Sequence, residues 1–127
     1  MVRIVNISSI CAIDPFSTMG VYCSGKAARD MFHKVLAKEY SEDDSDKSTA
    51  EEKQQFKVLN WAPGPCDTVM TDVLSESPVL DNKLHDYFES SKQNNTLVKP
   101  EDSAKKLVEL LRNDKYESGA HIDYYDV

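Results

Sequence analysis

Two short, nearly continuous apolar runs punctuate this chain, and around them apolar residues recur at helical spacing. The first run, Arg3 to Ser8, carries Ile4, Val5 and Ile7 around a single polar Asn6. β-Branched side chains without strict alternation suit a strand of a parallel sheet covered on both faces. From about Thr18 to Glu39, Val21, Ala27, Ala28, Met31, Phe32, Val35 and Leu36 cover more than one narrow stripe of a helix, which therefore needs two apolar partners. The second run, Phe56 to Asn60, is stopped by Ala62-Pro63-Gly64-Pro65, where proline fixes φ and withholds its N–H. Asp72 to Ser91 reads as a short helix or lid, with Leu74, Val79, Leu80, Leu84, Tyr87 and Phe88 as its apolar side. Lys99-Pro100-Glu101-Asp102 opens a further helix with proline and acids in the first turn, favourable against the positive end of its dipole. Its core face is Ala104, Leu107, Val108, Leu110 and Leu111, it ends near Asn113-Asp114, and Ala120 to Tyr125 is the last strand. The expected class is α/β, about three parallel strands with flanking helices.

Composition narrows this picture. At 127 residues and 40% hydrophobic content the chain can build one core and is too short for two ordinary domains. It has no apolar run of membrane-spanning length and no charged-then-apolar leader after Met1, so a cytoplasmic location away from membranes is expected. The formal charge of −7 argues against nucleic acid, which demands a basic stripe. Much of that charge is local: Glu42, Asp43, Asp44, Asp46, Glu51 and Glu52 stand against Lys47, so residues 41–55 read as a solvated acidic loop insertion. Cys11, Cys23 and Cys66 show no Cys-x-x-Cys pairing and read as reduced thiols. His33 has no second ligand at zinc spacing, and no metal site is expected.

Candidate chemistry lies at the end of the first run. Tyr22 follows Ser9 by thirteen residues, and Lys26 stands four residues beyond Tyr22. If Ser9 ends a buried strand and Tyr22 and Lys26 lie a helical turn apart, phenol and ammonium share one helix face. The ammonium would lower the phenol pKa so that Tyr22 could give its proton to a carbonyl oxygen, and the Ser9 hydroxyl would hold that oxygen. Tyr-x-x-x-Lys alone often means only a half-buried tyrosine beside a solvated lysine. Here it stands between an apolar run ending in Ser8-Ser9 and a second run entering Pro63-Gly64-Pro65, which makes the arrangement more specific.

Through these residues the chain resembles the short-chain dehydrogenase/reductase family, and within it a pterin-reducing branch. The likeness rests on Asn6-Ile-Ser-Ser-Ile-Cys-Ala12, Tyr22-Cys-Ser-Gly-Lys-Ala-Ala-Arg-Asp-Met31, Val58-Leu-Asn-Trp-Ala-Pro-Gly-Pro-Cys-Asp-Thr68 and Ser118-Gly-Ala-His-Ile-Asp-Tyr-Tyr-Asp126. It breaks over the acidic stretch and begins in the middle of the family's fold. It thus implies the C-terminal half of a Rossmann-like doubly wound parallel sheet. Gly20, Gly25, Gly64 and Gly119 do not form the glycine-rich turn that brings backbone N–H groups to a cofactor pyrophosphate. The expectation is therefore a catalytic and substrate half, inactive alone, with an exposed first-strand edge that favours aggregation.

The resemblance also implies roles. Ser9, Tyr22 and Lys26 would be catalytic, and Lys26 would hold the nicotinamide ribose of NADPH. Pro63, Gly64 and Thr68 match a family pattern that contacts nicotinamide and substrate, so Cys66, Asp67, Thr68, Val69, Met70 and Thr71 would bind the cofactor. Ser9, Ile10, Tyr22, Gly64 and Asp123 would bind the substrate, a pterin such as sepiapterin or 6-pyruvoyl-tetrahydropterin. A carboxylate can accept two parallel N–H bonds from an amino-pyrimidinone edge, and the closing motif aligns Asp123, not the neighbouring Asp126, with that task. The family often pairs the Thr18–Glu39 helix across a two-fold axis, so a homodimer is implied. Two other readings stay open: a general carbonyl reductase of the same family, and a non-catalytic chain that retains the dimerisation helix.

Overall fold

The computed structural model describes residues 1–40 and 56–127; the proposed acidic insertion at 41–55 lies outside the described residues. In chain order the elements are β1 (Val2–Ile7), α1 (Gly20–Glu39), β2 (Phe56–Ala62), α2 (Val69–Glu76), α3 (Asn82–Gln93), α4 (Pro100–Asn113) and β3 (Ala120–Asp123), with single 3₁₀ turns at Ile10–Ala12 and Tyr124–Asp126. The strands form one parallel sheet in the order β1-β2-β3. Helical crossovers join strands that run the same way, as the α/β pattern requires. Ile7 pairs with Trp61 and Ala62 with Asp123, so all three strands finish at one edge of the sheet.

β2 is central, and its Val58, Leu59, Trp61 and Ala62 are almost wholly buried. Leu59 and Trp61 pack with Leu110 and Tyr116, and Val5, Leu107, Leu111, Ile122 and Tyr124 close around them. α4 thus delivers Leu107, Leu110 and Leu111 to the core. Val108, assigned to the same face by spacing, is instead 43% exposed, and Ala104 is exposed beside the site.

Several element ends differ from the sequence reading for local physical reasons. α1 starts at Gly20 and not Thr18, because Thr18 takes the left-handed conformation (φ 65°), unusual for a β-branched residue, while its hydroxyl accepts from the Asp81 N–H at 2.9 Å. The segment expected as one helix or lid is two helices. Pro78 interrupts the run, and the Asp81 carboxylate caps α3 by accepting from the N–H groups of Lys83 and Leu84. β3 stops at Asp123 because that residue caps the following turn. Gly119 (φ 88°) lets β3 enter the sheet close to α1, where a β-carbon would come within 2.9 Å of Ala37 Cβ.

One face of α1 meets the sheet and the first 3₁₀ turn, while Val21, Met31, Phe32 and Val35 on its other side face outward, Val21 at 93% exposure. No helix among the described residues is long and apolar enough to cross a membrane.

Candidate active site

Ligands of open parallel sheets bind beyond the carboxyl ends of the strands. At that edge lies a cavity of about 890 Å³, within the range of small-molecule sites. Its first wall descends from β1. Ser8 N–H donates to Trp61 O at 2.7 Å, continuing the ladder for one residue, and the chain then turns at Ser9, whose hydroxyl accepts from Cys11 N–H at 3.2 Å. Ser9 and Ile10 consequently face the cavity. The second wall is the start of α1, which presents Met19, Tyr22 and Lys26, the last two one turn apart.

The structure gives these groups a finer arrangement than spacing alone. Lys26 Nζ donates to Ile7 O at 2.9 Å and lies 5.7 Å from the centroid of the Tyr22 ring. Burial pushes the Tyr22 phenol above its ordinary value; a hydrogen bond with Ser9 and the charge of Arg29 pull in the other direction. Lys26, which spacing assigned to depress the phenol, donates to the strand end, and the hydrogen bond with Ser9 is the largest lowering influence on Tyr22. Burial and the neighbouring Arg29 in turn lower the Lys26 ammonium.

A third wall follows β2. Gly64 has φ 78°, and a β-carbon there would stand 3.1 Å from Val98 and 3.3 Å from Tyr124, so only glycine lets the turn pass without pushing them apart. Beyond it Cys66, Thr68, Met70 and Thr71 reach the cavity. Thr71 Oγ1 donates to Cys66 O at 2.6 Å and holds the loop to the first turn of α2. Asp67 and Val69 do not line the cavity; Asp67 N–H donates to Val98 O, and Val69 is 76% exposed. Burial raises the Cys66 thiol, which keeps it protonated. Cys11 is buried with its thiol also raised, so neither is poised as a nucleophile.

Asp123 closes the site from β3. One of its oxygens accepts from Tyr125 N–H at 2.9 Å, and Asp126 accepts from Asp123 N–H at 2.9 Å. Asp126, set aside in the sequence as a neighbour, is therefore the partner that orients Asp123. An ionised carboxylate has about four lone-pair sites, so the capping bond leaves acceptor capacity for a ligand. Leu74, Leu84 and Phe88, expected on the apolar side of the lid, also line the cavity, together with Phe16 and Tyr125, which spacing did not single out. Aromatics in a loop and after a strand carry no periodic signal. Among the described residues no cluster of three or more His, Cys, Asp or Glu is placed to hold a metal ion.

A family model described as short chain dehydrogenase matches residues 2–78. Sepiapterin reductase of Bos taurus is 46% identical over 123 residues, covering 97% of this chain and 41% of that protein. Benzil reductase ((S)-benzoin forming) of Bacillus cereus is 31% identical over 117 residues, covering 92% of this chain and 43% of that protein. Among solved structures, a short chain dehydrogenase/reductase of Saccharomyces cerevisiae superposes with a TM-score of 0.77 at 26% identity, over 98% of this chain and 46% of that one. The chain thus spans about two fifths of the length of the curated relatives it matches.

Proposed function

The chain belongs to the short-chain dehydrogenase family, and from that premise we propose that it forms the catalytic and substrate-binding part of an NADPH-dependent reductase acting on pterin side-chain carbonyls. The observation that carries this reading is the meeting of Ser9, Tyr22, Lys26 and Asp123, from three separate elements, on one cavity of about 890 Å³.

The residues present suit the nicotinamide end of the cofactor. The first turn of α2 has no side-chain cap, and Thr68, Met70 and Thr71 line the cavity; the Thr71 and Asp72 N–H groups donate to Thr68 O, so the Val69 and Met70 N–H groups and the Thr68 hydroxyl would be the donors for a polar ligand there. Lys26 lines the same cavity, where its ammonium would hold a ribose hydroxyl while bonded to Ile7 O. When bound, NADPH supplies the hydride. Ser9 holds the carbonyl oxygen by donating its hydroxyl hydrogen. Tyr22 transfers its phenolic proton to that oxygen as the carbon becomes tetrahedral, giving an alcohol. Burial keeps the phenol protonated for this task, in a cavity whose walls are mostly apolar. Asp123 accepts from the amino-pyrimidinone edge and so fixes which carbonyl faces Tyr22.

A second reading is a broader carbonyl reductase. The 31% identity to benzil reductase and the aromatic and aliphatic walls favour it, because such walls also suit a diketone. Both readings place a second copy of the chain against the outward face of α1 around Phe32, and the cytoplasm as the location.

The two readings separate in a hybrid in which this chain continues the amino-terminal portion of bovine sepiapterin reductase. The pterin reading expects kcat/KM for sepiapterin to exceed that for benzil by at least tenfold, since Asp123 has an edge to hold only in the pterin. Equal values, or a preference for benzil, would replace it with the broader reductase.

A further inference from the structure

Behind the cavity lies a buried polar network that the proposed chemistry does not use. Asp30 stands on α1 one turn beyond Lys26, on the face that Tyr22 and Lys26 share. It is only 3% exposed. One of its oxygens accepts from the Ser8 hydroxyl and, at 3.0 Å, from Asn6 Nδ2; the other meets His121 Nδ1 at 2.6 Å. A carboxylate only accepts, so His121 Nδ1 carries the hydrogen. Asn6 Nδ2 also donates to Asn60 Oδ1 at 2.9 Å, which brings β2 into the same network. One carboxyl group thus draws together β1, β2, β3 and α1.

The cost of burying so many polar groups beneath a sheet calls for a function, since apolar packing would hold the same elements together without it. The placement supplies one. Ser8 is the residue immediately before Ser9, and Ile7, whose carbonyl anchors Lys26, is the residue before that. We propose that Asp30 is a positioning residue: by gripping Ser8 and Asn6 from the helix that carries Tyr22 and Lys26, it sets the end of β1 so that the Ser9 hydroxyl faces the Tyr22 phenol. The inference rests on the reading of Tyr22 as the proton donor.

The test needs no turnover, so its failure is distinct from failure of the proposed reaction. The titration of the Tyr22 phenol is followed by NMR in the hybrid enzyme labelled at the tyrosine ring carbon that bears oxygen. Ser8→Ala removes one donor and no charge. Asp30→Ala removes the acceptor, and Asp30→Asn keeps an oxygen for Ser8 and Asn6 while its amide donates to His121 in the other tautomer. Cys11, Cys23, Arg29 and Lys26, the other titratable groups that act on or lie beside the phenol, are unchanged in all three. Loss of the Ser9 hydrogen bond moves the Tyr22 titration to higher pH, whereas mere removal of the Asp30 negative charge moves it to lower pH. The expected result is an upward shift in Ser8→Ala and Asp30→Ala, with Asp30→Asn restored toward the parent. An unchanged or lowered Tyr22 titration in a folded Ser8→Ala hybrid would overturn the proposal and leave Asp30 a structural anchor. Should Asp30→Ala fail to fold, Ser8→Ala decides alone.

Discussion

Tyr22→Phe is expected to lower kcat for sepiapterin by roughly 10²-fold or more in the hybrid enzyme, while Kd for NADPH barely moves, as loss of general acid catalysis dictates. The substitution keeps the ring, its place 5.7 Å from Lys26 Nζ and the cavity wall, and removes only the transferable proton. The parent enzyme carries a matching pH signature. Burial raises the Tyr22 phenol above its ordinary value, against the opposing pull of Ser9 and Arg29. The acid form is the working form in reduction, so kcat holds level through neutral pH and falls only as pH rises into and beyond the ordinary phenol range. The same sign applies to stability. A group whose folded pKa is raised contributes fully below its unfolded pKa and loses that contribution as pH rises through the folded value. A steady-state pH profile checks the first statement. Near-normal kcat in Tyr22→Phe would remove Tyr22 from its role.

Asp123→Asn is expected to weaken sepiapterin binding by roughly ten- to a hundredfold, the worth of about 1.5–3 kcal/mol for a charge-assisted hydrogen bond. The amide can still accept from Tyr125 N–H and so keeps the 3₁₀ turn, but its NH₂ would oppose the donors of the pterin edge. Small diketones have no such edge and should keep their KM. Measuring KM for sepiapterin and for a diketone, with Kd for NADPH, checks this. Equal losses for both substrates would make Asp123 a structural cap and nothing more.

What the sequence disclosed and what it hid follow from the range of the interactions. The strand runs are dense in β-branched residues, and the strongly apolar β2 could be placed from pattern alone because it is buried on both faces. Pro63 and Gly64 announced the turn at its end. Helix ends were less visible, because the start of α1 depends on Thr18 adopting a left-handed conformation to reach Asp81, sixty-three residues away. Tyr22 and Lys26 were legible because their spacing is local. The path of the Lys26 ammonium was not: a strand-end carbonyl competes for it, and no pattern of residue types reports that carbonyl's direction. Asp30 was hidden for a similar reason. A single acid in an amphipathic helix reads as a solvated position, and its partners Ser8, Asn6 and His121 stand 22, 24 and 91 residues away. The exposed Val21, Met31 and Phe32, by contrast, agree with a helix that carries more apolar surface than one sheet can cover.

The central claim is that the cavity at the strand ends reduces a pterin carbonyl. The direct measurement is NADPH-dependent turnover of sepiapterin by the hybrid enzyme, with the product identified by its mass and the host's own reductases removed. The expected result is stoichiometric NADPH oxidation and a product heavier by one hydride and one proton. A folded hybrid that binds NADPH and leaves sepiapterin unreduced would contradict it.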